Sequence, residues 1–323
     1  MRLDRRSLLA GGAASIALGR PASAQGWPAR PVTIIVPYTA GGTTDLFGRI
    51  FGQALQEKTG NPFIVENRAG AGGTVGAAFA AKAPPDGYTL FVGTVATQAT
   101  APYVFKKLAY DAEKDFAPIS LFATLPNMLV VTPKMPVKTL ADFVAHAKAN
   151  DGKLSFGSSG AGSSNHLTAE LLAKLTGVRL VHVPYRSSGD IMNALAGGHV
   201  DLAFDNITLA WPQAQGGKVT ALAVTTKDRS PTAPDVPAMA ETFPGFDIGS
   251  WHGLYAPAGT PKEIVDRLAA DVRQVFSSES VKKRLFDIGA VARPMSPADF
   301  AAFGKAERAK YQDLIRQIGL EPV

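Results

Sequence analysis

The stretch Val32-Thr33-Ile34-Ile35-Val36-Pro37-Tyr38-Thr39-Ala40-Gly41-Gly42-Thr43-Thr44-Asp45 sets a β-branched apolar run, a proline stop, a glycine pair and a polar helix start in immediate succession. A short continuous apolar run of this kind suits a strand covered on both faces, as strands of parallel sheets are. Downstream, Leu46, Phe47, Ile50, Phe51 and Leu55 recur at helical spacing, with Thr43 or Thr44 expected as the helix cap. The unit reads as strand, glycine loop, helix. It recurs through Phe63-Ile64-Val65, the loop Asn67 to Gly73, a small-residue helix over 74–82, the turn Pro84-Pro85-Asp86-Gly87 and a strand over 88–92. Such alternation calls for an α/β fold built on parallel sheet.

A second set begins at Met128-Leu129-Val130-Val131. It continues through an amphipathic helix over 140–149, a strand over 154–156, the loop Gly157-Ser158-Ser159-Gly160-Ala161-Gly162-Ser163-Ser164 and a helix ending at Thr176. A strand over 178–183, a Ser187-capped helix to Ala196 and strands near 202–204 and 219–225 complete it. After the Pro-rich stretch 231–237 come a strand at Leu254-Tyr255 and amphipathic helices over 261–277 and 296–318. If these last helices return to the first unit, the chain crosses between units twice, around 122–128 and 224–230. Two crossings restrict motion to opening and closing, which is how a clamshell binder works. The expected division is a first lobe of residues 25–125 plus 226–323 and a second lobe of 126–225.

Residues 1–24 read as an export signal: Arg2, Arg5 and Arg6, the apolar run Leu8 to Leu18, then Ala22-Ser23-Ala24 before Gln25. Arg5-Arg6-Ser7-Leu8-Leu9 fits twin-arginine export, and a general secretory signal has a similar basic start. No later apolar stretch has the roughly 20 residues that a bilayer-spanning helix needs. The chain carries 33 Lys and Arg against 27 Asp and Glu, a net +6. Removal of the signal, with its four Arg and one Asp, leaves +3 without basic blocks, which gives no support to nucleic-acid or anionic-membrane binding. The absence of cysteine excludes disulfides, thiolate metal sites and a cysteine nucleophile. With 46% hydrophobic residues, the remainder can bury two ordinary lobes.

Catalytic signatures are missing. Gly157-Ser158-Ser159-Gly160 has the wrong spacing for a nucleophile elbow, and Gly70-Ala71-Gly72-Gly73-Thr74-Val75 puts Val75 where a dinucleotide fingerprint needs glycine. Gly216-Gly217-Lys218 is followed by Val219 rather than Ser or Thr, and the five histidines never fall at i, i+4. No cofactor or metal is expected. What the sequence offers instead is two Gly/Ser/Thr-rich loops, Tyr38 to Asp45 and Gly157 to His166, each after a strand and before a helix. Either alone reads as an ordinary capped turn. Together, one per lobe at the carboxyl ends of strands, they form a site for a carboxylate or other small anion bound by backbone N–H groups. Asp45 stands in the first helical turn, where it could receive a ligand hydroxyl or amine or simply stabilise the helix dipole. His166 and Tyr185 face either cleft or core, and Asp205-Asn206 closes a strand at the same end.

Taken together, Pro37-Tyr38-x-x-Gly41-Gly42-x-x-Asp45 with Arg49, Glu66-Asn67-Arg68-x-Gly70-Ala71-Gly72-Gly73, Pro85-Asp86-Gly87-Tyr88-Thr89-Leu90, Gly157-Ser158-Ser159-Gly160-x-Gly162-Ser163, His182-Val183-Pro184-Tyr185 and Trp251-x-Gly253-Leu254-x-Ala256-Pro257 resemble one family. It is the Bug family, the periplasmic receptors of tripartite tricarboxylate transporters. The resemblance implies a two-lobed periplasmic binding protein of Venus-flytrap type, type II-like, with a two-stranded hinge. It also implies a ligand carboxylate held between the first loops of the lobes by N–H groups, hydroxyls and bridging waters. By motif position that places Tyr38, Thr39, Ala40, Gly41, Gly42, Thr43 and Asp45 on one side, and Ser158, Ser159, Gly162, Ser163, Ser164 and Asn165 on the other. Thr94 and Asp205 would flank the rest of the ligand. The implied protein is a monomeric periplasmic receptor that passes a small organic acid or amino acid to integral-membrane subunits. An exported enzyme on the same clamshell, with Asp45 or Asp205 as base, is the alternative. The chain departs from the family pattern at Gly48, Ala69 and Arg186-Ser187, where Ala, Pro and Lys-Gly are usual, and the last change touches a cleft loop.

Overall fold

In the structure, a computed structural model that describes residues 26–323, the opening strand β1 (Val32–Val36) lies inside a sheet with four of its five residues buried. Val32, Ile34 and Val36 face one apolar core and Ile35 the other, which is why the run carries no polar alternation. The export signal expected over 1–24 lies outside the described residues. Parallel neighbours flank β1 on both sides, β2 (Phe63–Asn67) and β3 (Thr89–Thr94).

The strand β4 (Phe116–Val131) runs through both halves of the sheet. Phe116 to Pro126 pair antiparallel with β9 (Gly249–Pro257), whereas Asn127 to Val131 pair antiparallel with β7 (Leu202–Asn206) and β8 (Thr220–Val224). In the second half β5 (Ser155–Ser158) lies parallel to β6 (Val181–Pro184) and β7. The two halves share one plan. The orders β2-β1-β3-β9-β4 and β6-β5-β7-β4-β8 each insert, between the third and the last strand, an antiparallel strand arriving from the other half. This is the α/β, two-lobed, type II arrangement. The sequence reading caught only the last four residues of β4, because Pro118, Ser120 and Pro126 break the apolar pattern of the rest.

Helices cover both faces: α1 (Thr43–Thr59), α2 (Thr74–Ala81), α3 (Ala101–Val104), α4 (Leu140–Ala149), α5 (Ser164–Thr176), α6 (Ser188–Gly197), α7 (Ile207–Gln215), α8 (Lys262–Phe276), α9 (Glu279–Asp287) and α10 (Pro297–Ile318). A two-residue strand β10 (Val291–Ala292) pairs with β4. The carboxyl-terminal helices return to the first half. Phe276 of α8 stacks on Phe122 of β4 with centroids 4.6 Å apart, and α10 buries Phe300, Tyr311 and Leu314 against the opposite face. Each such side chain contributes roughly 1.5–3 kcal/mol of burial, so these helices pin β9 and the first part of β4 in the first half. The chain passes between halves at Pro126/Asn127 and between the end of β8 and the start of β9.

Candidate functional site

Four helices, α1, α5, α6 and α7, begin where strands of the two halves end, and their first residues meet around one small cavity of about 30 Å³. The first half supplies Tyr38, Gly42, Thr43 and Thr44, then Thr94, Val95 and Ala96 after β3, and Ser250 and His252 from β9. The second half supplies Ser159, Ser163, Ser164 and Asn165, then Ser187, Ser188 and Asn206. No Lys, Arg, Asp or Glu is in this wall. Positive potential therefore comes from the N-terminal ends of helices, each acting as a partial positive charge.

In the first loop Gly41 adopts φ 86°, a left-handed conformation that glycine takes without strain. The cap of α1 is Gly42, not Thr43 or Thr44, and no side chain caps this helix. Both threonine hydroxyls are engaged elsewhere: Thr43 Oγ1 lies 2.7 Å from Thr208 Oγ1 of the other half, and Thr44 Oγ1 lies 3.0 Å from His252 Nε2. The N–H groups of the first turn are left for a ligand. Asp45 does not face the cavity. Its Oδ2 accepts from Gly41 N–H at 3.0 Å and Arg49 Nε at 2.8 Å, and its Oδ1 accepts from Asn67 Nδ2, which also donates to Tyr38 O. Burial raises this carboxyl, but the hydrogen bonds from Arg49, Gly41 and Asn67 outweigh it and hold the pKa below the usual range. Asp45 thus braces the loop from behind, which the ligand-facing reading missed. Thr39, Ala40 and Gly41 also lie outside the wall, and Ala40 and Gly41 are exposed.

The second loop is built differently. Ser163 caps α5, accepting from His166 N–H and donating to Gly160 O at 2.6 Å. Asn165 Oδ1 accepts from Ser159 N–H, and Gly162 N–H donates to His166 Nδ1. Of the expected residues here, Ser159, Ser163, Ser164 and Asn165 reach the cavity. Ser158 and Gly162 lie beneath it, Ser158 hydrogen-bonded to His182 Nε2 at 2.5 Å and to Gly160 N–H. The rings of His166 and His182 lie 4.2 Å apart with Phe156 stacked against both. Burial pushes His166 down to about 3, helped by its His182 neighbour, and His182 down to about 4. Both are neutral supports of the loop. The Ser158–His182 contact has the look of a nucleophile and base, yet Ser158 is fully buried and away from the wall, where it could not reach a bound molecule.

Tyr38 and Thr94 both line the cavity, their hydroxyls 3.4 Å apart, with burial pushing the Tyr38 phenol up to about 12 despite that contact. Asp205 stands under the wall rather than in it. Its Oδ1 accepts from Ser188 Oγ and from Asn206 N–H, both at 2.7 Å, while Oδ2 is buried without a partner. Burial outweighs those hydrogen bonds and raises its pKa to about 6. Tyr185 packs on the core beside Gly157. Sequence reasoning missed Thr44, Val95, Ala96, Ser187, Ser188, Asn206, Ser250 and His252 as wall residues. Thr44 and Ser187, as caps, and Asn206, in the strand end Asp205-Asn206, carried a signal.

Residues 47–320 match the family described as the tripartite tricarboxylate transporter family receptor. The chain belongs to this family. It is 33% identical over 308 residues to BugT of Bordetella pertussis, covering 95% of this chain and 94% of that protein. Among solved structures it resembles Rpa4515 of R. palustris with adipate, at a TM-score of 0.90 and 38% identity over 92% of this chain and all of that one. It also resembles MatC of Rhodopseudomonas palustris with bound malate, at a TM-score of 0.86 and 37% identity over 90% of this chain and all of that one.

Proposed function

We propose that this chain is a periplasmic receptor that captures a small carboxylate by closing two lobes on it and delivers it to integral-membrane transporter subunits. The observation that carries the reading is the uncapped start of α1, set against the start of α5 across a cavity whose wall holds no ionised side chain. A carboxylate brought there accepts N–H and hydroxyl hydrogen bonds at the positive ends of helices, and the charge needs no salt bridge. The moving bodies are residues 25–125 with 226–323 and residues 126–225, and the protein works as a monomer. Export would be followed by cleavage after Ala24. Adipate and malate in the related structures fit the ligand class, and a wall with only Val95 and Ala96 as apolar members favours a short, oxygen-rich acid over a long alkyl or aromatic one. The protein has no catalytic role in this reading: Asp45 is committed to its loop, and Asp205 stands behind Ser188.

The test is calorimetry and thermal denaturation of the purified protein against two- to eight-carbon carboxylates and amino acids, with product analysis. Saturable stabilisation by a short polar acid, recovered unchanged, is the expected result. Turnover of any acid, or no stabilisation by any of them, would overturn the reading.

A further inference from the structure

The cavity wall has an acceptor side as well as a donor side. Ser188 and Asn206 stand next to each other in it, both bonded to the same Oδ1 of Asp205. Ser188 spends its single O–H on that carboxylate oxygen, so what remains of its hydroxyl for the cavity is lone pairs. The Asn206 amide is oriented by a chain of buried groups. Thr168 donates to Ser164 O at 2.6 Å, which leaves its oxygen to accept from Asn127 Nδ2 at 3.4 Å. Asn127 Oδ1 is thereby turned to Asn206, which must meet it with Nδ2, at 2.6 Å. Asn127 and Thr168 are fully buried, so no water competes for these positions. With its NH2 turned inward, Asn206 has its Oδ1 left for the cavity.

This acceptor pair adjoins the donor side. A Cβ on Gly42, the cap of α1, would stand 3.9 Å from Ser187, the residue before Ser188. Thr208, two residues after Asn206, bonds Thr43 across the cleft. Ser188 and Asn206 therefore border the start of α1, where the carboxylate is proposed to sit.

We propose that Ser188 Oγ and Asn206 Oδ1 form a specificity subsite that accepts a hydrogen bond from an O–H or N–H on the carbon next to the ligand carboxylate, so that the receptor selects 2-hydroxy or 2-amino acids over their unsubstituted parents. Asp205 and Asn127 are the positioning residues that fix the polarity of the subsite. The inference rests on the receptor reading above and narrows it.

The experiment uses matched probes on the full mature protein: lactate against propionate, malate against succinate, 2-hydroxyglutarate against glutarate, and glutamate against glutarate. Within the pair of the right length the donor-bearing acid should bind at least about tenfold more tightly, the scale of one well-placed hydrogen bond in a buried site. Asn206→Ala should cost the donor-bearing acid at least about fivefold more affinity than it costs the unsubstituted parent, so that most of the preference is lost. Equal binding of both members of every pair overturns the subsite and leaves the receptor reading standing, as does an Asn206→Ala variant that weakens both members alike. Failure of every probe to bind overturns the subsite and leaves the receptor reading to the wider acid series above. The wild-type comparison needs no variant to fold, so it decides the question by itself.

Discussion

The two ligand-facing loops follow one plan and spend their hydrogen bonds in opposite ways. The loop from Tyr38 to Gly42 ends on a glycine cap and is held from outside by Asp45, Asn67 and Arg49, which keeps its own first-turn N–H groups uncommitted. The loop from Ser159 to Ser163 is self-contained: Ser163 caps its own helix, and Asn165 and His166 take up N–H groups of Ser159 and Gly162. The first loop therefore leaves N–H groups free at the start of its helix, whereas the second spends most of its own internally.

That contrast can be broken most sharply at Gly160. Its φ is 108°, and a Cβ there would meet Gly72 Cα of the other half at 2.9 Å, so Gly160→Ala should block closure and weaken binding by about a hundredfold or more in calorimetry. Gly42→Ala is the control on the first loop: at φ −88° with nothing nearer than 3.9 Å, it should stay within about threefold of wild type. If the two variants lose affinity equally, the division of labour is wrong. Removing the brace comes next. Asp45→Ala leaves Gly41 N–H, Arg49 and Asn67 without their shared acceptor, for an expected loss of about 1–3 kcal/mol in denaturant unfolding and roughly tenfold in affinity.

Acid should separate the loops further. His166 and His182 have folded pKa values of about 3 and 4, below their unfolded value near 6.5, so their contribution is fully present above that value and is lost as the pH falls through 6 towards 4. His252, pushed down to about 3, acts in the same direction. Asp205 opposes them: raised to about 6, it favours the folded state below its unfolded value and loses that contribution as the pH rises through 6. Glu170 and Glu307, also raised by burial, act with Asp205, but the larger shifts of the three histidines outweigh them, so stability should fall between pH 7 and 4, and His166→Asn should flatten the profile in pH-dependent melts. A small effect is expected at Thr208→Val. It removes one hydroxyl contact to Thr43 across the closed cleft and should weaken binding by about three- to fivefold, chiefly through faster release in stopped-flow displacement.

Much of this organisation was legible in the chain. The apolar runs at 32–36, 63–65, 202–204 and 219–225 each fall on a strand, and the helices expected over 140–149 and 296–318 lie within a residue of their observed bounds. The glycine-rich loops were placed correctly between strand and helix, and Ser187 was named as a cap. Side-chain direction was not legible. Asp45, Ser158, Gly162 and Asp205 stand in the expected segments yet lie outside the cavity wall, whereas Val95, Ser250 and His252 line it without a local pattern that says so.

The α/β alternation, the two glycine loops and the family motifs are written in the chain, because periodicity, caps and turns are set by neighbours a few residues apart. That β4 and β9 pass into each other's halves, that Gly42 rather than a threonine caps α1, and that Asp205 and Asn127 sit behind the wall follows from long-range packing. Those outcomes depend on contacts between residues tens to hundreds of positions apart: Asn127 with Asn206, Thr43 with Thr208, Thr44 with His252. A hydroxyl or an amide has no fixed role until a distant partner has taken one of its hydrogen bonds, and local sequence carries no record of that partner.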